Sequence, residues 1–377
     1  MKRFLFFIFI GFAVLIYIVT IKGSHIQIQS DLQYNPDSEM INKVNAMRES
    51  NDGNDPLYVI YNELPVIDIH NHDASLLDTT EKRTNEHARS LIEIWEKFGI
   101  DRTVLFGNVS EPSAVQTDKL SWKYYEEYPN LIYPSFAGIP LDEKQNGAKI
   151  VKEKLERGYM NMGEIYVAST FSNNTNLSWK GEHPYWGELP EIYEVTAEYK
   201  VPILLHIDPP RGKNITYLKK ALMNHPDTIF IFAHGNVYNT PSNMKALLKQ
   251  HDNVYFDFFP GFTAYHPKSK HSLLDFVPLI EAYPDRFFVG SDSGYEIGLE
   301  KSYLAIYELI DLLTPETAVK VAYQNYERFI EQQPPTSYQK MKIKELTTQL
   351  KLKTKSYRLN KRRANELIFK LTKEVGH

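Results

Sequence analysis

Cysteine is absent from all 377 residues of this chain. That removes disulfide frameworks, thiolate metal sites and cysteine nucleophiles together. Any metal site must be built from His, Asp and Glu, a donor set that favours zinc, manganese or iron over a structural zinc knot. The compartment is not fixed by this, because an exported protein can do without disulfides. Basic charge is scarce over most of the chain. The net charge is −4, yet residues 336–377 hold twelve Lys and Arg against three Asp and Glu, which leaves the remainder at −13. So acidic a body offers a polyanion little, and no nucleic-acid partner is expected. No internal repeat or low-complexity segment stands out.

What is present is the composition of an ordinary soluble protein, 42% hydrophobic and 24% charged. The exception is at the start. Phe4 to Ile21 is an uncharged, mostly apolar run flanked by Lys2, Arg3 and Lys22. At about 1.5 Å per residue it just reaches across a ~30 Å hydrocarbon core. It predicts a transmembrane signal-anchor over residues 1–24, with the rest of the chain on the extracytoplasmic side. Secretion after signal cleavage is the alternative, although Ile-Lys-Gly-Ser is a poor cleavage exit. Residues 25–62 are polar, rich in Asn, Asp and Ser, and read as a linker or stalk.

From residue 63 to 333 short apolar runs alternate with longer amphipathic stretches. Strands are expected at Val66–Ile69, Arg102–Phe106, Ile132–Ala137, Met162–Val167, Ile203–Ile207, Ile229–Ala233, Val254–Phe258 and Phe287–Gly290. Eight such runs, each followed by a segment able to form a helix, predict an α/β protein built as a (β/α)₈ TIM barrel. Thr314-Pro315-Glu316 opens a helix: a capping hydroxyl, proline at the first helical position and an acid in the first turn. Beyond Pro334-Pro335, residues 334–377 form a basic helical extension. Its Ile343, Leu346, Leu350 and Leu367, Ile368, Leu371 fall at helical spacing. Packing on the barrel with a solvated basic face is one reading of it, and contact with anionic lipid or polymer another.

The chemistry gathers at strand ends. Asp68-Ile69-His70-Asn71-His72 closes the first strand, where side chains two apart share a face, so both imidazoles can project into the barrel mouth and share one metal. His206 ends the fifth strand, His234 the sixth, and Gly290-Ser291-Asp292 the eighth. Each is a polar group directly after an apolar run, at the C-terminal ends where barrel enzymes place their sites.

This ordering resembles the amidohydrolase superfamily, and within it the amidohydrolase-related barrels that include aromatic and semialdehyde decarboxylases. The phrases that carry the resemblance are IDIHNH, PILLHID, IFAHGN and RFFVGSDS, with YQNYERFI similar to the family's closing helix. The resemblance implies that His70, His72 and His206 ligate a divalent metal. It implies that Asp292 binds the metal or its water and moves the proton, and that His234 is a second-metal ligand or a hydrogen-bond donor to substrate. Many relatives with two metals carry a carboxylated lysine on the fourth strand. Here that strand reads Met162-Gly163-Glu164-Ile165, and Glu164 is left to bridge two ions as in TatD-like metallohydrolases, or to serve as a buried structural acid. One or two ions are expected, zinc first and manganese or iron otherwise.

Arg211 is a candidate clamp for an anionic group, and Tyr185 and Trp186, in the long loop after the fourth strand, are candidates for a pocket wall or for packing that loop down. The expected activity is metal-dependent hydrolysis of an ester, lactone or amide of a small molecule. Non-oxidative decarboxylation of an aromatic or enoic acid, TatD-like phosphodiester cleavage and a non-catalytic membrane-tethered barrel are the alternatives. Homo-oligomerisation is left open.

Overall fold

In a computed structural model of the chain, the described residues are 17–21, 24–28, 37–76, 81–143, 145–168, 179–208, 215–352 and 359–376. Of the N-terminal apolar run, residues 4–16 lie outside them. Tyr17–Ile21 is a β-strand paired antiparallel with Ser24–Ile28. The expected membrane helix is thus corrected at its last five residues, where Ile18, Val19, Thr20 and Ile21 are β-branched and favour extended backbone. Among the described residues no helix is long and apolar enough to cross a membrane.

The stalk expected over residues 25–62 is corrected too. Ser38–Glu49 is a helix, capped by the Asp37 side chain on the Met40 amide. It docks on the barrel through the buried Val44, and Arg48 donates to the Tyr61 hydroxyl and the Ile310 carbonyl at 2.8 Å each. Met40, Ile41, Val44 and Met47 have the spacing of one helix face. Its polar surroundings masked it.

Eight strands pair in parallel, in chain order, and build the barrel: β1 Val66–Asn71, β2 Ile100–Leu105, β3 Ile132–Phe136, β4 Asn161–Tyr166, β5 Ile203–His206, β6 Phe230–Phe232, β7 Val254–Phe258 and β8 Phe287–Val289. Most strand residues are buried whichever side they face, as expected of parallel strands covered by helices. All eight fall where the apolar runs placed them.

No backbone ladder joins β8 to β1 among the described residues. Side chains close that seam instead. Asp68 accepts from the Ser291 amide at 2.9 Å and the Ser291 hydroxyl at 2.6 Å, and also from the Tyr303 hydroxyl at 3.1 Å. The Ser293 hydroxyl accepts from the His72 amide at 2.8 Å. Ser291 and Ser293 both bond across the seam, while Asp292 between them, in left-handed backbone, lines the barrel mouth.

Thr314 caps the helix Pro315–Val319, as its sequence signal indicated. The basic extension forms two helices, Ser337–Gln349 and Lys361–Val375, around a small core of Ile343, Leu346, Ala364, Leu367 and Leu371. It is fastened to the barrel: Gln333 donates to the Met160 carbonyl at 2.8 Å, and Asn365 to the Gly158 carbonyl at 2.9 Å. Its cations are partly spent on barrel acids, with Arg363 3.0 Å from Glu331 and Arg362 against Glu331 and Glu327.

Lys361 is fully buried. Its ammonium donates to the Tyr159 carbonyl at 3.3 Å and lies 5.3 Å from the Tyr199 ring centre. Burial pushes it down to about 7, with Glu156 offsetting only part of that. The unfolded chain keeps this group protonated up to about pH 10.4, whereas the folded chain releases its proton near 7. Its destabilising effect is therefore complete below pH 7, fades as pH rises, and is gone above the unfolded value. We predict that Lys361→Met is more stable than the parent at pH 7, by roughly 3–5 kcal/mol. The gap should shrink steadily toward pH 10 in urea unfolding followed across that range.

Candidate metal centre

The centre grows from β1. Asp68, His70 and His72 share one face by strand alternation. The His70 Nδ1 lies 2.6 Å from Oδ2 of Asp257, a buried acid of β7, and the His72 Nδ1 lies 2.8 Å from the Gly107 carbonyl oxygen. A carboxylate and a carbonyl only accept, so both Nδ1 atoms carry the proton. The two Nε2 lone pairs therefore face each other, 3.1 Å apart. Two lone pairs at that distance repel unless a proton or a cation sits with them. The donor set thus fits a metal.

Asp257 does more than orient His70. The same Oδ2 accepts from the His234 amide at 2.8 Å, linking β1 to the end of β6. Gly290 leaves the space it occupies: a Cβ there would lie 2.3 Å from the Asp257 Oδ1 and 2.6 Å from the His70 Cβ.

Two groups of three converge at the barrel mouth. In His70, His72 and Asp292 the ligand atoms all lie within 4.8 Å of one another, and the same holds for Glu164, His206 and His234. Glu164, on β4, stands between them. Its Oε1 is 2.9 Å from the His206 Nδ1 and 3.0 Å from the His234 Nε2. Its Oε2 is 3.4 Å from the His72 Nε2 and 3.7 Å from the His70 Nε2. The Asp292 Oδ1 is 3.6 and 3.7 Å from the same two nitrogens. Asp292 and His234 have φ of 43° and 35°. Left-handed backbone costs a non-glycine residue on the order of 1–3 kcal/mol and persists only where surroundings enforce it, most often at functional sites.

Electrostatics match the geometry. Burial alone would push the His70 imidazole down, but the carboxylates of Asp257 and Asp292 hold it well above its ordinary value. His206 is likewise opposed by burial, yet Glu164 and Asp208 push it up to about 9. Burial would raise Glu164, but the imidazoles of His206, His234 and His70 hold it well below the carboxylate range. A negative field that draws protons onto these imidazoles is one that a divalent cation can satisfy instead.

Above the centre is a cavity of about 350 Å³, lined by His72, Glu164, His206, His234 and Asp292 and walled by Tyr166, Tyr238, Tyr295 and Glu111. The pocket wall expected from Tyr185 and Trp186 is corrected: neither is in this lining. Lys220 sits 4.1 Å from the Tyr185 ring centre, and Trp186 packs edge-on to His183, so both hold their loop down. Arg211 lies outside the described residues.

The model of the family described as amidohydrolase matches residues 100–329, more than half of the chain. The chain belongs to the amidohydrolase family. Glu164, His206, His234 and Asp292 lie within the matched span, while His70 and His72 precede it. Members of this family are metal-dependent enzymes. An uncharacterised TIM-barrel protein from Bordetella bronchiseptica is 16% identical, covering 71% of this chain and 98% of its own, with a TM-score of 0.52. A putative amidohydrolase from Staphylococcus aureus is 15% identical over 70% and 99%, at 0.50. These identities establish a shared fold and no more. A TatD homologue from Escherichia coli is 16% identical over 69% and 96%, at 0.48. No curated protein matches the chain.

Asp257, Asp208 and the three tyrosines went unmarked in the sequence. For Asp257 a signal existed: an acid between Phe256 and Phe258, inside an apolar strand, must find a partner or remain a costly buried charge. Gly290→Ala should displace it, lowering zinc affinity by about 10–100-fold in competition with a chromophoric chelator. Asp257→Asn, which keeps the shape, should show a loss in the same direction with a smaller change in melting temperature.

Proposed function

We propose that this amidohydrolase is a metal-dependent hydrolase that directs water at an ester, lactone or amide bond of a small substrate. The observation that carries the reading is the pair of Nε2 atoms facing each other at 3.1 Å while both Nδ1 atoms are committed elsewhere. His70, His72 and Asp292 would hold one divalent ion, and His206 with His234 a second, with Glu164 offering one oxygen to each group. Zinc fits the all-imidazole-and-carboxylate set, as do manganese and iron. When bound, such an ion supplies Lewis acidity, which can bring the pKa of water from 15.7 to about 7.

The remaining work falls to the chain itself. Asp292, at the cavity floor and only partly buried, takes the proton from the attacking water and returns it to the leaving group. Its rigid left-handed backbone fixes where that proton is collected. With only the first ion held, His234 would instead steady charge developing on the substrate oxygen. Asp257 holds His70 in the tautomer that turns Nε2 inward.

Purified protein should contain one to two equivalents of zinc or manganese, measured by inductively coupled plasma mass spectrometry. Dialysis against a chelator should abolish hydrolysis of a chromogenic ester or lactone, and either metal should restore it. Asp292→Asn should lower kcat by about 10²–10⁴. Ester hydrolysis that survives both chelation and the double change His70→Ala, His72→Ala would sink the reading. Release of CO₂ in place of hydrolysis, or cleavage of a chromogenic phosphodiester, would redirect it.

A further inference from the structure

The cavity wall has an uneven charge. Among its described residues there is no Lys or Arg, whereas it carries three carboxylates, Glu111, Glu164 and Asp292. On the reading proposed above, Glu164 and Asp292 face metal. Among the described residues Glu111 then remains as the one acid in the wall with no cation of the protein beside it.

Its position is built, not incidental. Glu111 follows Ser110, which is fully buried and tied to β4 at both ends: its amide donates to the Glu164 carbonyl at 3.1 Å, and its hydroxyl accepts from the Tyr166 amide at 2.8 Å. The Ser113 hydroxyl donates to the Glu111 Oε1, and Asn108 donates to Ser113 at 2.7 Å. One carboxylate oxygen is thereby oriented. No Lys, Arg or His pairs with either oxygen among the described residues. The neighbouring walls are the phenol rings of Tyr166, Tyr238 and Tyr295. Aromatic rings attract cations over their faces, and a carboxylate in a partly desolvated cavity attracts them more strongly than in water.

We infer that the cavity selects substrates bearing a positive charge, an ammonium, amidinium or quaternary ammonium group, and that Glu111 receives it while the tyrosines surround it. The hydrolysable bond then lies between that group and the metal centre. This inference rests on the metal-dependent reading, and its test separates the two.

The zinc-loaded full-length protein is titrated calorimetrically with three metal-chelating hydroxamates of similar length. Their tails end in an ammonium (aminohexanohydroxamic acid), a methyl group (hexanohydroxamic acid) or a carboxylate (the monohydroxamate of adipic acid). The ammonium compound should bind about tenfold more tightly than the methyl compound, with the carboxylate compound weakest. Glu111→Gln should close the gap between ammonium and methyl to within about twofold, by weakening the former. Equal affinities for all three tails overturn the preference while leaving the metal centre standing, and so does a gap that persists in Glu111→Gln. Absence of binding by every hydroxamate overturns the metal reading and takes the preference with it.

Discussion

The metal centre depends on how the barrel closes. Among the described residues seven of its eight strand junctions are backbone ladders, and the eighth is made by side chains. Asp68 and the two serines of the β8 loop replace the missing ladder, and they do so beside the proposed ligands. Ser291 and Ser293 flank Asp292 in sequence, and their partners, Asp68 and the His72 amide, flank His70. The bonds that shut the ring therefore also set the spacing between Asp292 and the imidazoles of β1. A buried carboxylate is expensive unless its oxygens are satisfied, and Asp68 is satisfied by groups from both sides of the seam. The same residues serve ring closure and site geometry.

Asp257 performs the same service across the barrel interior. A single oxygen holds the ring of His70 and the backbone of His234, and so ties the two halves of the centre together. The glycine at 290 is what permits it. These supporting groups fix imidazoles whose protonation is already biased by neighbouring carboxylates. The result is a cluster of imidazoles and carboxylates opening into a cavity whose wall adds another acid.

Much of this was legible in the sequence. Parallel strands covered on both sides must be continuously apolar, so a polar residue at the end of such a run stands out, and His70, His72, His206, His234 and Asp292 all stood out that way. Glu164 was visible as an acid within an apolar strand. Asp257 carried the same mark without a motif around it and was passed over. Tyr185 and Trp186 show the limit of loop reading: aromatic residues in a long loop suit a pocket wall and loop packing equally, and only the path of the chain separates the two. The helix at Ser38–Glu49 was hidden because its apolar stripe is narrow and its other residues are those of a linker. The pairing of Tyr17–Ile21 with Ser24–Ile28 set β-branched residues against a hydropathy pattern that read as helix.

The left-handed backbone at Asp292 bears on how this site can change over generations. Among the side chains that bind hard cations, aspartate, asparagine and histidine tolerate that conformation best. Glutamate offers the same carboxylate, but its longer stem and its backbone preferences both count against it there. Variation at this position is thus filtered twice, by coordination chemistry and by torsion angle, and few of the twenty amino acids pass both filters. A lineage that repurposed this barrel would find it easier to alter the cavity walls than the floor.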